Sequence, residues 1–407
     1  ACFHAQPTLE KSNSTGIVEH VHSRNETETP KYAGPTRVWD VYEPGFPCVP
    51  GEEELMQVTP ARDGFLFQRP MKVGSTTMIG IVLRLAHNRS PWMNEDKKCR
   101  HRAMHGSALS FEFDKRDRSK SFLFSLLRHP TKRAISEFFH FGVTNMQLEP
   151  TDTLFKKFLA APDFIPRASN PFFQHRYLDD MSMRNYTINM DQSAFEQLVL
   201  KKSGLTDERI NKIKEKGTKV GKAKLSMLEK EIRRFGDDPN FEQVVEDILQ
   251  DYDFIAITER MDESLVTMQM LLNLTTKDIL FTRARSSSGW STHTPQRPCV
   301  YIPPSFVSPG MQTYFESSHW KHMIRGDILL YKAAHASLDR TIEALGKIEF
   351  QQNLDAFTNA LKLAENHCEG RVQPACSAGG QRHRANNNSC YIWGEACDHE
   401  CINELDL

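Results

Sequence analysis

Ser121 to Leu127, Ser-Phe-Leu-Phe-Ser-Leu-Leu, is a short run with almost no polar surface. A strand with one wet face alternates apolar and polar residues, whereas this run suits a strand buried on both faces, as in the middle of a parallel sheet. It stops at Arg128-His129-Pro130, and proline belongs in the first turn of a helix, so a helix is expected from about Thr131. The same order of strand, turn and helix occurs twice more. Phe65-Leu66-Phe67 leads through a glycine-bearing turn to Met78, Ile81, Val82 and Leu85 at helical spacing. Phe254-Ile255-Ala256-Ile257 leads to a helix carrying Leu265, Met268 and Leu272, with Asp262 as its expected cap. Strands alternating with helices imply an α/β domain with a parallel sheet. A long helix is expected over Asp327 to Leu345, with Ile328, Tyr331, Leu338, Ile342 and Leu345 on one face and Gly346 as its stop.

Around this core the texture changes. Residues 1–60 are polar and turn-rich and read as a stalk; 61–350 form the main domain; 351–407 hold a helix and a cysteine-rich tail. Within the domain, 206–238 carries ten Lys or Arg among fewer acids and reads as an exposed charged helical insertion, or as a basic surface facing an anionic substrate. Over the whole chain 51 basic residues balance 52 acidic ones, which argues against a dedicated nucleic-acid binder. Arg84 and Arg128 interrupt the best apolar stretches, so no run of about 18 apolar residues is left to span a membrane. The chain starts at Ala1 instead of Met, so a signal or anchor is expected to have been removed ahead of it.

Five of the nine cysteines, Cys368, Cys376, Cys390, Cys397 and Cys401, lie in the tail, and Cys2, Cys48, Cys99 and Cys299 are scattered. Cys397, His399 and Cys401 have the right donors for zinc, but the paired knuckles of common zinc sites are missing, and a disulfide-bonded tail is the expectation. Six N-x-S/T sequons, at Asn13, Asn25, Asn88, Asn185, Asn273 and Asn387, point the same way, toward a secretory lumen. Five tail cysteines cannot all pair with each other. One of them, such as Cys368, reaches back to the domain, as to Cys299, or stays free, or links two chains into a dimer.

The loop after the first strand, Gln68-Arg69-Pro70-Met71-Lys72-Val73-Gly74-Ser75-Thr76-Thr77, concentrates the chemistry. A helix N-terminus offers unpaired amides and the positive end of a dipole, Gly74 permits close backbone approach, and Lys72 adds a cation. That is an anion cradle, although an ordinary capped helix start also uses Ser and Thr. It is not the common triphosphate loop, in which Gly precedes Lys and a hydroxyl follows it directly; Gly217 to Lys222 departs from that motif too.

The K-x-G-S-T-T order resembles the loop with which sulfotransferases grip the 5′-phosphosulfate of 3′-phosphoadenosine 5′-phosphosulfate (PAPS). Arg128-His129-Pro130-Thr131-Lys132-Arg133-Ala134-Ile135-Ser136 is similar to the second half of that signature, R-D-P-x-x-R-x-x-S, with His129 replacing the usual acid. Phe254 to Val266 resembles the strand and D-E-S-L-V helix of Golgi galactose-3-O-sulfotransferases, the galactosylceramide sulfotransferase family. Asp278 to Phe281 with Arg283 to Ser286, and Asn170 to Leu178, are similar to further segments of it. The resemblance spans about residues 62–345, and it implies a P-loop-like parallel sheet flanked by helices, the sulfotransferase fold. It implies a type II membrane protein of the Golgi lumen whose N-terminal anchor is absent from this chain, PAPS as co-substrate with no metal required, and a glycan or glycolipid acceptor. On this basis Lys72 meets the leaving oxygen and 5′-phosphate, Val73, Gly74, Ser75, Thr76 and Thr77 complete the cradle, Arg128 and Ser136 hold the 3′-phosphate, and Arg283 closes over the cofactor.

A sugar hydroxyl needs a base as it attacks. Cys99 to Gly106 looks like the stretch where related carbohydrate sulfotransferases carry a histidine, which selects His105 first and His101 second, with Glu137 and Glu259 behind them. A histidine in a basic loop can also simply face solvent. Phe172, Phe173, Tyr177 and Trp290 are the aromatic choices for stacking on a sugar. Other readings are a uronyl or other polysaccharide O-sulfotransferase, a P-loop kinase of a small metabolite, and an inactive secreted scaffold; Lys72, Arg128 and Ser136 together weigh against the last.

Overall fold

The apolar runs become four parallel strands: β1 (Gly64–Gln68), β2 (His101–Met104), β3 (Ser121–Leu127) and β4 (Phe254–Ile257), in the order β2-β1-β3-β4. The computed structural model describes residues 38, 50–51, 63–88, 98–99, 101–105, 108, 113–160, 174, 178–179, 190–236, 240–282, 289–291, 298–372, 376–382 and 399–407. The chain divides into units at Lys31 and Tyr32, and all described residues belong to the second. Most of the expected stalk lies outside them.

Every residue of β1 and β3 is buried, as their unbroken apolar character requires. Phe67 lies opposite Phe124 in the ladder, and their rings stack 4.8 Å apart. The helix α1 (Ser75–Asn88) buries Met78, Ile81, Val82 and Leu85 against the sheet. Arg84 is buried with them, because its guanidinium donates to the carbonyls of Asp278 (2.9 Å) and Leu280. After β3 comes α2 (Pro130–Glu137), which runs on into a π-helical segment, Phe138–Thr144. At the other end of β3, Arg116 pairs with Asp253 (2.7 Å) and bonds Ser121 Oγ (3.0 Å), tying the starts of β3 and β4 together.

Next in the chain are α3 (Asp152–Ala160), α4 (Gln192–Ser203), α5 (Asp207–Lys216) and α6 (Lys219–Phe235). The last three begin with side-chain caps from Asp191, Thr206 and Thr218 and enclose a small core of Phe195, Val199, Ile210, Leu225 and Ile232. The charged insertion is thus a pair of capped helices, α5 and α6, packed with α4. The helix α7 (Phe241–Asp251) leads into β4, and α8 (Met261–Leu271) follows it. Asp262 lies inside the first turn of α8, not at its cap, because a short turn of 3-10 helix, Thr258–Arg260, intervenes.

The remainder is α9 (Thr276–Ile279), a hairpin of β5 (Gly289–Ser291) and β6 (Val300–Ile302), α10 (Pro309–Glu316), α11 (Ser318–Met323), α12 (Arg325–Leu345), α13 (Lys347–Cys368) and α14 (His399–Asn403). The helix α12 starts two residues ahead of expectation and ends at Gly346, whose φ of 99° a glycine accommodates. Among the described residues two disulfides tie down the tail. Cys368 closes onto Cys401 within it, and Cys376, not Cys368, reaches back to Cys299. Cys401 is therefore no zinc ligand. No helix among the described residues is long and apolar enough to cross a membrane.

Candidate active site

In a parallel sheet all strands end on one edge, and ligands bind where neighbouring strands send their connections in opposite directions. Here β1 connects toward β2 and β3 toward β4, so the switch lies between β1 and β3. Along that edge stand His105 after β2, the Lys72 loop after β1, Arg128 after β3, and Thr258 and Glu259 after β4. Adjacent strands are spaced about 4.8 Å, so these groups form a row about 15 Å long.

The loop has the backbone of an anion nest. Lys72 has φ 62° and Gly74 φ 83°, with Val73 between them on the negative side. A left-handed lysine costs backbone energy that nothing but the surrounding structure or a ligand recovers. Val73 and Ser75 are buried, Lys72, Thr76 and Thr77 are half-buried, and Gly74 is exposed at the mouth. The N-terminus of α1 opens at Ser75, directly behind the nest.

The two signature segments meet physically: Arg128 Nη1 donates to the Lys72 carbonyl at 3.2 Å. Burial pulls the Arg128 guanidinium down from its usual value, opposed by the Glu259 carboxylate, and an arginine remains charged regardless. Ser136 lies on α2, half-buried. Arg133, on the same helix, donates from Nε to the Met71 carbonyl (2.7 Å) and pairs with Glu137 at 2.5 Å. Gln174 clasps Arg128 from both sides, accepting from its amide (3.0 Å) and donating to its carbonyl (2.8 Å), while its own amide donates to buried Asp327 (2.7 Å).

His129 makes no side-chain cap for α2. Glu259, in the 3-10 turn after β4, instead accepts the amide of His129 itself at 3.2 Å and lies 3.8 Å from the Lys132 ammonium. A carboxylate thus stands near the N-terminus of α2 even though position 129 is His, supplied from the turn after β4. Tyr331 also donates to Glu259 (3.1 Å), so this carboxylate is committed.

His105 Nδ1 lies 2.9 Å from the Arg69 carbonyl. A carbonyl only accepts, so Nδ1 carries the proton and Nε2 keeps its lone pair. Burial pulls His105 down to about 4, helped by Arg69, Lys72 and Arg133 and resisted by the hydrogen bond. The residue nonetheless keeps an exposed edge. The ring is thus open to solvent on one side while Arg69, Lys72 and Arg133 lie close enough to act on it. His101 is not brought here. It starts β2, opposite Phe65, roughly 13 Å back along the strand. Glu137 is fully buried beneath Arg133, which removes it as a base for an incoming hydroxyl, and burial pushes its carboxyl upward against the pull of Arg133 and Lys72.

Arg283, Phe172, Phe173 and Tyr177 lie outside the described residues. Trp290 is exposed on the β5–β6 hairpin, with the Gly380 backbone packed against its ring. Gln174, Thr258 and Asp327 are the site residues that sequence patterns passed over, and Arg133, although it stands in the signature, was given no role there. Their contacts span 46 to 185 residues of chain, and only the i, i+4 spacing of Arg133 and Glu137 was there to be read.

The sulfotransferase family model matches residues 58–297, more than half of the chain, from just ahead of β1 to beyond β5. The chain belongs to the sulfotransferase family. No curated protein and no solved structure matches it.

Proposed function

We propose that the protein moves the sulfuryl group of PAPS to a sugar hydroxyl of a glycan or glycolipid, with the 3-hydroxyl of galactose as the first acceptor to test. The observation that carries this reading is the contact between Arg128 and the Lys72 loop at the switch point. One nest with a lysine and one arginine on the neighbouring strand fit a donor bearing two separate phosphates. Lys72, the amides of Val73 and Gly74, and the hydroxyls of Ser75, Thr76 and Thr77 would take the 5′-phosphosulfate. Arg128 and Ser136 would take the 3′-phosphate.

In the reaction the acceptor oxygen bonds to sulfur as the bond from sulfur to the bridging phosphate oxygen breaks. His105 Nε2 takes the hydroxyl proton, and Lys72 offsets the charge left on the phosphate. The Arg69 carbonyl fixes the tautomer this requires. Two disulfides and an exposed sequon asparagine, Asn273, support an oxidising secretory compartment, for which we propose the Golgi lumen. Incubating the chain with sulfur-labelled PAPS and a panel of galactosides, glycolipids and uronic-acid polysaccharides tests the reading. Label on a galactoside supports it, label confined to a polysaccharide shifts the acceptor, and no label on any sugar overturns it.

A further inference from the structure

The nest is shaped from behind. Three consecutive carbonyls of the loop are held by side chains of other elements: Met71 by Arg133 Nε (2.7 Å), Lys72 by Arg128 Nη1 (3.2 Å) and Val73 by Thr258 Oγ1 (2.5 Å). A trans peptide is planar, with its N–H pointing opposite to its C=O. Holding these carbonyls back therefore turns the amides of Lys72, Val73 and Gly74 the other way, as a set.

The last of these peptides is the one most in need of a holder. It precedes Gly74, which tolerates either sign of φ, so the Val73–Gly74 peptide flips with the least steric resistance. Among the described residues its side-chain clamp is Thr258, just past the end of β4 and outside both signature segments. The same hydroxyl lies 2.8 Å from the Leu127 carbonyl, so its single proton is shared between the nest, at the shorter distance, and the end of the strand that leads to Arg128. The Thr258 methyl faces Gly74, 3.5 Å from where a side chain would begin. Arg133 is fixed in turn by its buried pair with Glu137.

We propose that Thr258 and Arg133 are positioning residues for the donor, holding the amides of the nest in their anion-binding orientation without touching the donor themselves. This rests on the PAPS reading of the site. The test is calorimetric titration with adenosine 3′,5′-bisphosphate of the wild-type chain, Thr258→Val and Thr258→Ser, followed by donor and acceptor KM. Valine keeps the methyl and loses the hydroxyl; serine does the reverse. Thr258→Val is expected to weaken the probe about three- to tenfold, the worth of one hydrogen bond, and to raise donor KM with acceptor KM unchanged, while Thr258→Ser stays within about twofold. Wild-type affinity in Thr258→Val overturns the proposal, as does equal weakening by both variants, which would assign the effect to methyl packing. Should the wild-type chain itself fail to bind the probe, the donor assignment falls first and the clamp with it. Arg133→Lys, which can keep the pair with Glu137 but not the reach to Met71, is expected to weaken the probe in the same direction.

Discussion

Lys72 combines a left-handed backbone with a cation close enough to act on His105 and Glu137. Replacing Lys72 by alanine is expected to lower sulfuryl transfer by at least about a hundredfold, since it removes a cation proposed both to hold the 5′-phosphosulfate and to offset the charge left on the phosphate. Stability should hold within about 0.5 kcal/mol, as for other substitutions outside the core. Near-normal turnover in Lys72→Ala would remove the lysine from the chemistry. For His105 the sign of the titration matters. Its value of about 4 lies below the usual imidazole range, so the neutral base persists as pH falls from 7 and is lost only through about 4. The kcat/KM of the free enzyme should hold within about twofold from pH 7 to 5.5, where a base titrating at the ordinary 6.5 would lose about tenfold. The stability linked to this residue runs in the same direction: full above about 6.5, declining toward 4, because the unfolded chain takes up the proton first. His105→Ala should retain donor binding while turnover drops about a hundredfold or more.

At the scale of elements, strands β1, β3 and β4 were legible because burial on both faces leaves an unbroken apolar run, and α1 because its buried face repeats at helical spacing. The two loops at their ends were legible because the phosphate contacts proposed for them would constrain residue type and order locally. What could not be read was the support between elements. Gln174, Thr258 and Asp327 act on residues distant in sequence, and the place of Glu259 near the start of α2 follows only from β4 lying beside β3. Arg84 looked like a break in an apolar stretch, yet it is buried and gathers the last carbonyls of α9. Arg84→Met is expected to cost about 2–4 kcal/mol in a denaturant titration, because methionine fills the space but leaves buried carbonyls without a donor. A cost under about 1 kcal/mol would mean that water or a shifted chain replaces the guanidinium.

Across the whole molecule the tail is an integral part of the fold. Cys299–Cys376 closes 77 residues of separation and Cys368–Cys401 closes 33. Loop entropy alone assigns them about 4.5 and 3.7 kcal/mol, as upper figures for what they contribute. Replacing Cys368 and Cys401 together by serine should lower the unfolding free energy by about 2–4 kcal/mol, read from a urea titration under non-reducing conditions. No loss would mean that α14 is held to α13 by its apolar contacts and by the Arg371–Glu404 ion pair. At the same scale, one edge of one parallel sheet gathers the residues proposed to bind a donor with two separate phosphates. Calorimetric titration of the intact chain with PAPS, run beside ATP with magnesium, tests it most directly. Tight PAPS binding is expected, lost in Lys72→Ala and in Arg128→Ala, with little affinity for ATP; tight ATP–magnesium binding without PAPS binding would overturn the proposed function.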